Sequence, residues 1–294
     1  MSVILEVVQL KKYYQNVKAV DDISFSIEQG ICFGLLGPNG AGKTTTIEII
    51  EGIISPTSGE VLYKGKQINS RFRQDAGILF QSTALMDFIT GREVLQLFSS
   101  FYKRTQPIEE LADMCHLHDF LDRYATKLSG GQRQRLMLSL AMINDPEIIF
   151  LDEPTTGLDP QARRNFWKLV ESIKAKGKTI VLTTHYMEEA EILCDNLAIM
   201  DEGKIITQGS PQQLLRENFD NMSVHLDRSD FNIDPGSWPE PVTFIENNVE
   251  IHTNDIDQTI QRLLDNNINL NSLQVKSYTL EDLFIKLTGH QLKT

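Results

Sequence analysis

Gly37-Pro38-Asn39-Gly40-Ala41-Gly42-Lys43-Thr44-Thr45 follows the apolar run Ile31-Cys32-Phe33-Gly34-Leu35-Leu36 and precedes Thr46-Ile47-Glu48-Ile49-Ile50. This order reads as strand, glycine-rich turn and helix, the setting in which the Walker A spacing of glycines, lysine and threonine acquires a chemical meaning. Gly37, Gly40 and Gly42 allow a tight bend that turns backbone N–H groups inward at a helix N-terminus, where polyphosphate oxygens can be held. Lys43 can reach the outer phosphates, and the Thr44 hydroxyl can ligate Mg²⁺.

Working outward, a second apolar run, Ile148-Ile149-Phe150-Leu151, ends in Asp152-Glu153. A third, Thr179-Ile180-Val181-Leu182-Thr183-Thr184, ends at His185, and a fourth, Gly77-Ile78-Leu79-Phe80, ends at Gln81. Ligands of open α/β sheets gather at the carboxyl ends of strands. Phosphoanhydride hydrolysis needs a placed metal, compensation of phosphate charge and an aimed water. Asp152 is the expected Mg²⁺ carboxylate, and Glu153, beyond the strand's alternation, can polarise the water. His185 can bond the γ-phosphate or hold the geometry of water and glutamate, and Gln81 can contact the metal or the water.

Leu128-Ser129-Gly130-Gly131-Gln132 forms a second glycine-exposed helix start, with Ser129 adding a hydroxyl. One triphosphate does not need two such cradles from one chain. Two chains head to tail would supply them to each other in a C2-like interface.

The remaining pattern organises around these motifs. Residues 3–9 and 17–29 read as strands, with Tyr13 and Tyr14 in a loop between them, and one of these rings can lie on adenine. Residues 88–145 read as long helical stretches inserted into an α/β core. A helix is expected over 161–175, with Phe166, Leu169, Val170 and Ile173 inward. Beyond Gly209-Ser210-Pro211 the chain turns richer in Asn and Asp. Short strands are expected at 224–226, 242–245, 249–252 and 273–275, with helices at 211–217, 255–265 and 280–285: a small α+β appendage. The expected division is 1–215 and 216–294.

Composition narrows the classes of function. The 294 residues carry a formal charge of −12, which argues against non-specific grip on nucleic acid or an anionic lipid face. The N-terminus lacks a basic, apolar leader pattern, and no stretch nears the roughly 18 apolar residues of a membrane span. Any membrane crossing is expected from another chain. Three cysteines, Cys32, Cys115 and Cys194, have no metal-ligand spacing, and their odd count suits a reducing compartment.

Taken together and in order, these motifs resemble the ATP-binding subunits of ATP-binding cassette transporters over residues 1 to about 215. The resemblance implies an α/β P-loop NTPase of that type, with an antiparallel β subdomain and an inserted helical subdomain. By motif, Tyr14 matches the adenine-stacking aromatic, Gly37 to Thr45 Walker A and Gln81 the Q-loop. Ser129, Gly130, Gly131 and Gln132 match the signature, Asp152 and Glu153 the Walker B acid and catalytic glutamate, Asp159 the D-loop and His185 the switch histidine. It implies ATP and Mg²⁺, a head-to-tail homodimer, and an integral permease beneath which the subunit lies on the cytoplasmic face. Gly34 to Thr46, Thr155-Thr156-Gly157-Leu158-Asp159-Pro160 and Tyr278 to Gly289 are similar to ATPases that partner ABC-2 type permeases, mostly exporters. The alternative is a cassette ATPase acting on ribosomes or nucleic acid. Ribosome-acting cassettes resemble two linked copies in one chain, and DNA-repair cassettes need a longer insertion than separates Lys43 from Lys127.

Overall fold

The computed structural model describes residues 2–80, 85, 87–219 and 222–290. In chain order its elements begin with strands β1 (Val3–Tyr14), β2 (Val17–Glu28) and β3 (Cys32–Leu36), then helix α1 (Lys43–Ile50). There follow β4 (Ser58–Tyr63), β5 (Lys66–Gln67), α2 (Ser70–Asp75), β6 (Ala76–Leu79), α3 (Gly91–Ser99), α4 (Ile108–Cys115) and α5 (Gly130–Ala141). Next come β7 (Ile148–Asp152), α6 (Pro160–Ala175), β8 (Thr179–Thr184), α7 (Met187–Leu193), β9 (Asn196–Asp201) and β10 (Lys204–Gly209).

Three strands, β3, β7 and β8, are buried at every position, as continuous apolar runs must be when both faces of a parallel sheet are covered. The six-stranded sheet runs β10-β9-β3-β8-β7-β6, parallel except for the β9–β10 hairpin. A second, antiparallel sheet runs β2-β1-β4-β5. Helix α1 lies in contact with β2 and with β7. Its Ile47, Ile49 and Ile50 join Leu5, Val7, Ile23 and Phe25 of one sheet and Phe33, Phe150 and Val181 of the other in a single core. Burial of each such side chain is worth about 1.5–3 kcal/mol, so the helix behind the phosphate loop is clamped on two sides.

Parallel register places the functional strand ends together. Leu36 of β3 stands opposite Thr184 of β8, and Asp152 of β7 stands opposite Thr183. The chain therefore leaves the sheet at Gly37, Glu153 and His185 from three adjacent strands.

Between β6 and β7 the helices pack on one another, α3 against α4 and α5, and α4 against α5. They are shorter than the expected long stretches: nine, eight and twelve residues. Local stop and start signals explain this. The Thr90–Glu93 and Ser129–Gln132 capping boxes open α3 and α5, and His116 takes a left-handed conformation at the end of α4. Strand β1 is longer than the expected 3–9, because its far half pairs with β2: Lys11 with Asp21, Lys12 with Val20, Tyr13 with Lys18 and Tyr14 with Val17. Tyr13 and Tyr14 thus stand on the end of a hairpin and not in a loop.

The chain divides into two units between Pro211 and Gln212, the first taking back His290 and the second covering Gln212–Gly289. This division falls inside α8 (Pro211–Asn218), a few residues before the expected 215/216. The second unit then contains β11 (Met222–Asp227), β12 (Val242–Ile245), β13 (Asn248–Thr253), α9 (Ile256–Asp265), β14 (Gln274–Lys276) and α10 (Leu280–Thr288). Its antiparallel sheet runs β12-β13-β11-β14. Val224, Leu226, Val249 and Ile251 alternate onto one face and pack with Phe231, Trp238, Leu263 and Ile268, giving this unit a core of its own.

Among the described residues no helix is long and apolar enough to cross a membrane. All three cysteines are free and buried. Cys32 and Cys194, distant in sequence, bring their sulfurs to 4.0 Å.

Candidate active site

The phosphate loop is shaped by close backbone approaches. At Gly42, with φ +101°, a Cβ would stand 2.2 Å from the Ala19 carbonyl oxygen, and at Gly37, with φ +154°, a Cβ would stand 2.2 Å from that of Met200. Both contacts exclude any side chain. Gly42→Ala should cost about 1–3 kcal/mol from backbone strain alone, and more from the clash. A chemical denaturation midpoint unchanged by that substitution would contradict this account of the loop.

Helix α1 begins without a side-chain cap and without an acidic residue in its first turn. Its first N–H groups and dipole thus face the loop with no side chain capping them, the arrangement that suits an anion. Pro38 is half-buried, Asn39 and Gly40 are exposed on the rim, and Ala41 is buried; Thr44 and Thr45 are half-buried. The Lys43 ammonium, on a residue only 4% exposed, donates to the carbonyls of Gly37 at 2.8 Å and Pro38 at 3.0 Å. It also lies 3.6 Å from Glu153 Oε1. Burial pulls its pKa down while Glu153 works to restore it. A phosphate would meet the same need for negative charge.

On the facing side, Asp152 is buried and accepts a hydrogen bond from the Thr183 hydroxyl. Burial raises its pKa, opposed by Thr183, Lys43 and the Thr44 hydroxyl. Glu153 leaves the strand in a left-handed conformation, φ +45°, which turns its side chain out of the alternation. Its own N–H donates to Thr183 Oγ1 at 2.9 Å. Its carboxylate lies 3.4 Å from His185 Nδ1 and accepts from the Thr156 hydroxyl at 3.3 Å. Lys43, Thr44, Asp152, Glu153 and His185 therefore converge. Thr183, which ties the two acids together, was not singled out from sequence. The available signal is a pair of threonines directly after the apolar run Ile180-Val181-Leu182.

Beneath this cluster, Glu51 at the end of α1 is 6% exposed, and its Oε1 has no hydrogen-bond partner among the described residues. Burial, with Asp152 and Glu48 nearby, pushes its carboxyl up to about 8. In the unfolded chain it titrates near about 4.3. Between these values the folded protein holds a proton that the unfolded chain has released, so stability falls as pH rises, by at most about 1.4 kcal/mol per unit. Glu51→Gln should match the parent near the lower limit of this window and exceed its stability at its upper limit in urea titrations of the nucleotide-free chain. Parallel stability–pH curves would contradict the assignment.

The remaining expected residues fall elsewhere. Ser129, Gly130, Gly131 and Gln132 open α5, where Ser129 Oγ accepts the Gln132 N–H and Gln132 Oε1 accepts the Ser129 N–H. A Cβ on Gly131 would stand 3.2 Å from the Ala162 Cβ, so the glycines let this turn lie close against α6. Asp159 caps α6, accepting from the Gln161 and Ala162 N–H groups. These residues line a cavity of about 820 Å³ whose lining contains none of Lys43, Asp152, Glu153 or His185. Tyr14 is 51% exposed on the hairpin whose Ala19 touches Gly42, with the Lys12 ammonium 5.2 Å from its ring centre. Tyr13 by contrast is engaged, its hydroxyl donating to Asp21. Gln81 lies outside the described residues. Among the described residues there is no cluster of His, Cys, Asp and Glu able by itself to hold a metal ion.

The model of the ABC transporter family matches residues 20–156. The chain is 37% identical over 298 residues to Nod factor export ATP-binding protein I of Burkholderia pseudomallei strain K96243, covering 97% of this chain and 96% of that protein. It is 36% identical to the protein of the same description from Rhizobium meliloti, covering 99% and 90%. Among solved structures it is similar to cbiO1 from Clostridium perfringens, part of the ABC transporter complex cbiONQ, with a TM-score of 0.67, 28% identity and coverage of 74% of this chain and 92% of that one. It also resembles a bacterial ABC transporter cassette solved as a dimer, with a TM-score of 0.64, 26% identity and coverage of 70% and 98%. The cassette match spans the phosphate loop through Asp152-Glu153, and the full-length relatives extend it over both units. The chain belongs to the ATP-binding subunits of ABC transporters, and it is an ATP-hydrolysing enzyme.

Proposed function

We propose that this chain powers export through a separate ABC-2 type permease by cyclic closure of a head-to-tail homodimer around two ATP molecules. The observation that carries this reading is the separation of two anion cradles. The Lys43 loop is gathered with Asp152, Glu153 and His185, while Ser129 to Gln132 line a distinct cavity with Asp159. Each signature turn then serves the nucleotide of the other copy. The relatives' descriptions as export ATP-binding proteins and a similar cassette's dimeric structure support export and pairing. Residues 1–215 are taken as the ATPase domain and 216–294 as an accessory domain.

Within one site, the first turn of α1 and Lys43 hold the phosphates, and Tyr14 offers an exposed ring to adenine. Thr44 and Asp152 fit a hard cation with oxygen donors, and Gln81 is assigned to the same ion. A Mg²⁺ ion held by these residues would offset the negative charge of the phosphate oxygens. Glu153 accepts the proton of the attacking water, its carboxylate aimed by Thr156 and faced by His185. Phosphate charge is the switch, and the gap between copies is the bistable element.

The subunit is placed on the cytoplasmic face of the membrane through the permease, with no role for nucleic acid. Co-expression with an ABC-2 type permease from the same genome tests this. The chain should sediment with membranes only when the permease is present. Partition independent of the permease would overturn the reading.

A further inference from the structure

Glu189 on α7 is wholly enclosed, with 0% exposure, and touches none of the proposed nucleotide-binding groups. Its Oε1 accepts hydrogen bonds from the Thr155 hydroxyl at 2.9 Å and from the Trp167 indole N–H of α6 at 2.8 Å. Burial raises its pKa against these bonds and the charge of Arg163, and its Oε2 makes no hydrogen bond among the described residues. Arg163 lies 4.0 Å over the Tyr186 ring, and that ring lies 4.1 Å from His185.

The addresses of these donors matter. Thr155 stands two residues after Glu153, in the turn that joins β7 to α6. Glu189 itself lies four residues after His185, on the helix that begins at Met187. We infer that Glu189 is a positioning residue, which fastens the turn carrying Glu153 to the strand end carrying His185 from behind the site. This rests on the roles proposed above for those two side chains. A purely apolar core residue would leave a hydroxyl and an indole N–H without an acceptor, each at a cost of about 1–3 kcal/mol. One carboxylate satisfies them and at the same time sets the spacing of two reacting-side elements.

Steady-state ATP hydrolysis by the full chain tests the inference. In Glu189→Ala, kcat should fall roughly 10- to 100-fold, the scale of a small misplacement of reacting groups. The KM for ATP should stay within about twofold of the parent, because the phosphate loop is untouched. Glu189→Gln keeps an accepting oxygen for Thr155 and Trp167 and should recover most of the loss, which a defect of charge or fold would not allow. If Glu189→Ala does not fold, Thr155→Val and Trp167→Phe carry the test, each removing one bond to Glu189 and each expected to lower kcat several-fold at unchanged KM. Glu153→Gln is measured in parallel. If that variant turns over normally, the active-site reading has failed. If it is inactive while the folded Glu189, Thr155 or Trp167 variants keep parental kcat, or lose kcat and affinity together, the positioning role is overturned.

Discussion

Glu153→Gln should lower ATP turnover by about 10²- to 10⁴-fold, the usual worth of a positioned general base, while ATP binding is retained. The amide keeps the shape of the side chain and an oxygen to accept the Thr156 hydroxyl, but it cannot take a proton from water. Nor does it disturb Lys43's bonds to the Gly37 and Pro38 carbonyls. Removing the negative charge also takes away the only carboxylate paired with Lys43 among the described residues, which leaves the ammonium freer to meet phosphate. Binding measured by titration calorimetry and turnover measured by phosphate release should therefore separate. Parental turnover in this variant would remove Glu153 from the chemistry.

Lys43→Ala should act on the opposite quantity. A charge-assisted hydrogen bond contributes about 1.5–3 kcal/mol, so ATP affinity should fall by roughly 10- to 100-fold, with turnover lost at ordinary nucleotide concentrations. Lys43→Arg should not rescue it. The lysine occupies a slot with 4% exposure, and a planar guanidinium cannot present a point charge there without displacing the loop. Parental affinity in Lys43→Ala would mean that the backbone cradle alone holds the triphosphate.

The features legible from sequence were those decided within a few residues. The turn at Gly37 to Thr45 carries its own conformational requirements, and Asp152-Glu153 announces a strand end by its change of polarity. The helix expected over 161–175 was legible from its apolar stripe, and it starts one residue earlier, at Pro160 behind the Asp159 cap. Features that depend on partners distant in the chain were not. Thr183 lies between two acids only because β7 and β8 pair in one register. Glu189 sits in the run Glu188-Glu189-Ala190-Glu191, where neighbouring acids look alike. Only the phase of α7 exposes Glu188 and buries Glu189. Trp167 is not distinguishable beside Phe166 in the sequence, because its indole N–H finds its partner two elements away. The outer half of β1 escaped notice for the same reason, since Lys11, Lys12, Tyr13 and Tyr14 become strand only through pairing with β2. The short helices before β7 show the converse: apolar spacing marks a helix, but capping chemistry decides its length.

The central claim is that the Ser129 turn acts on a nucleotide held by another copy. Light scattering of the Glu153→Gln chain, with and without ATP, tests it most directly when Ser129→Arg is added to the same background. The account predicts a dimer with ATP for Glu153→Gln alone, and a monomer that still binds ATP once Ser129 is replaced. A Ser129→Arg chain that dimerises as before, or that loses ATP as a monomer, would contradict it.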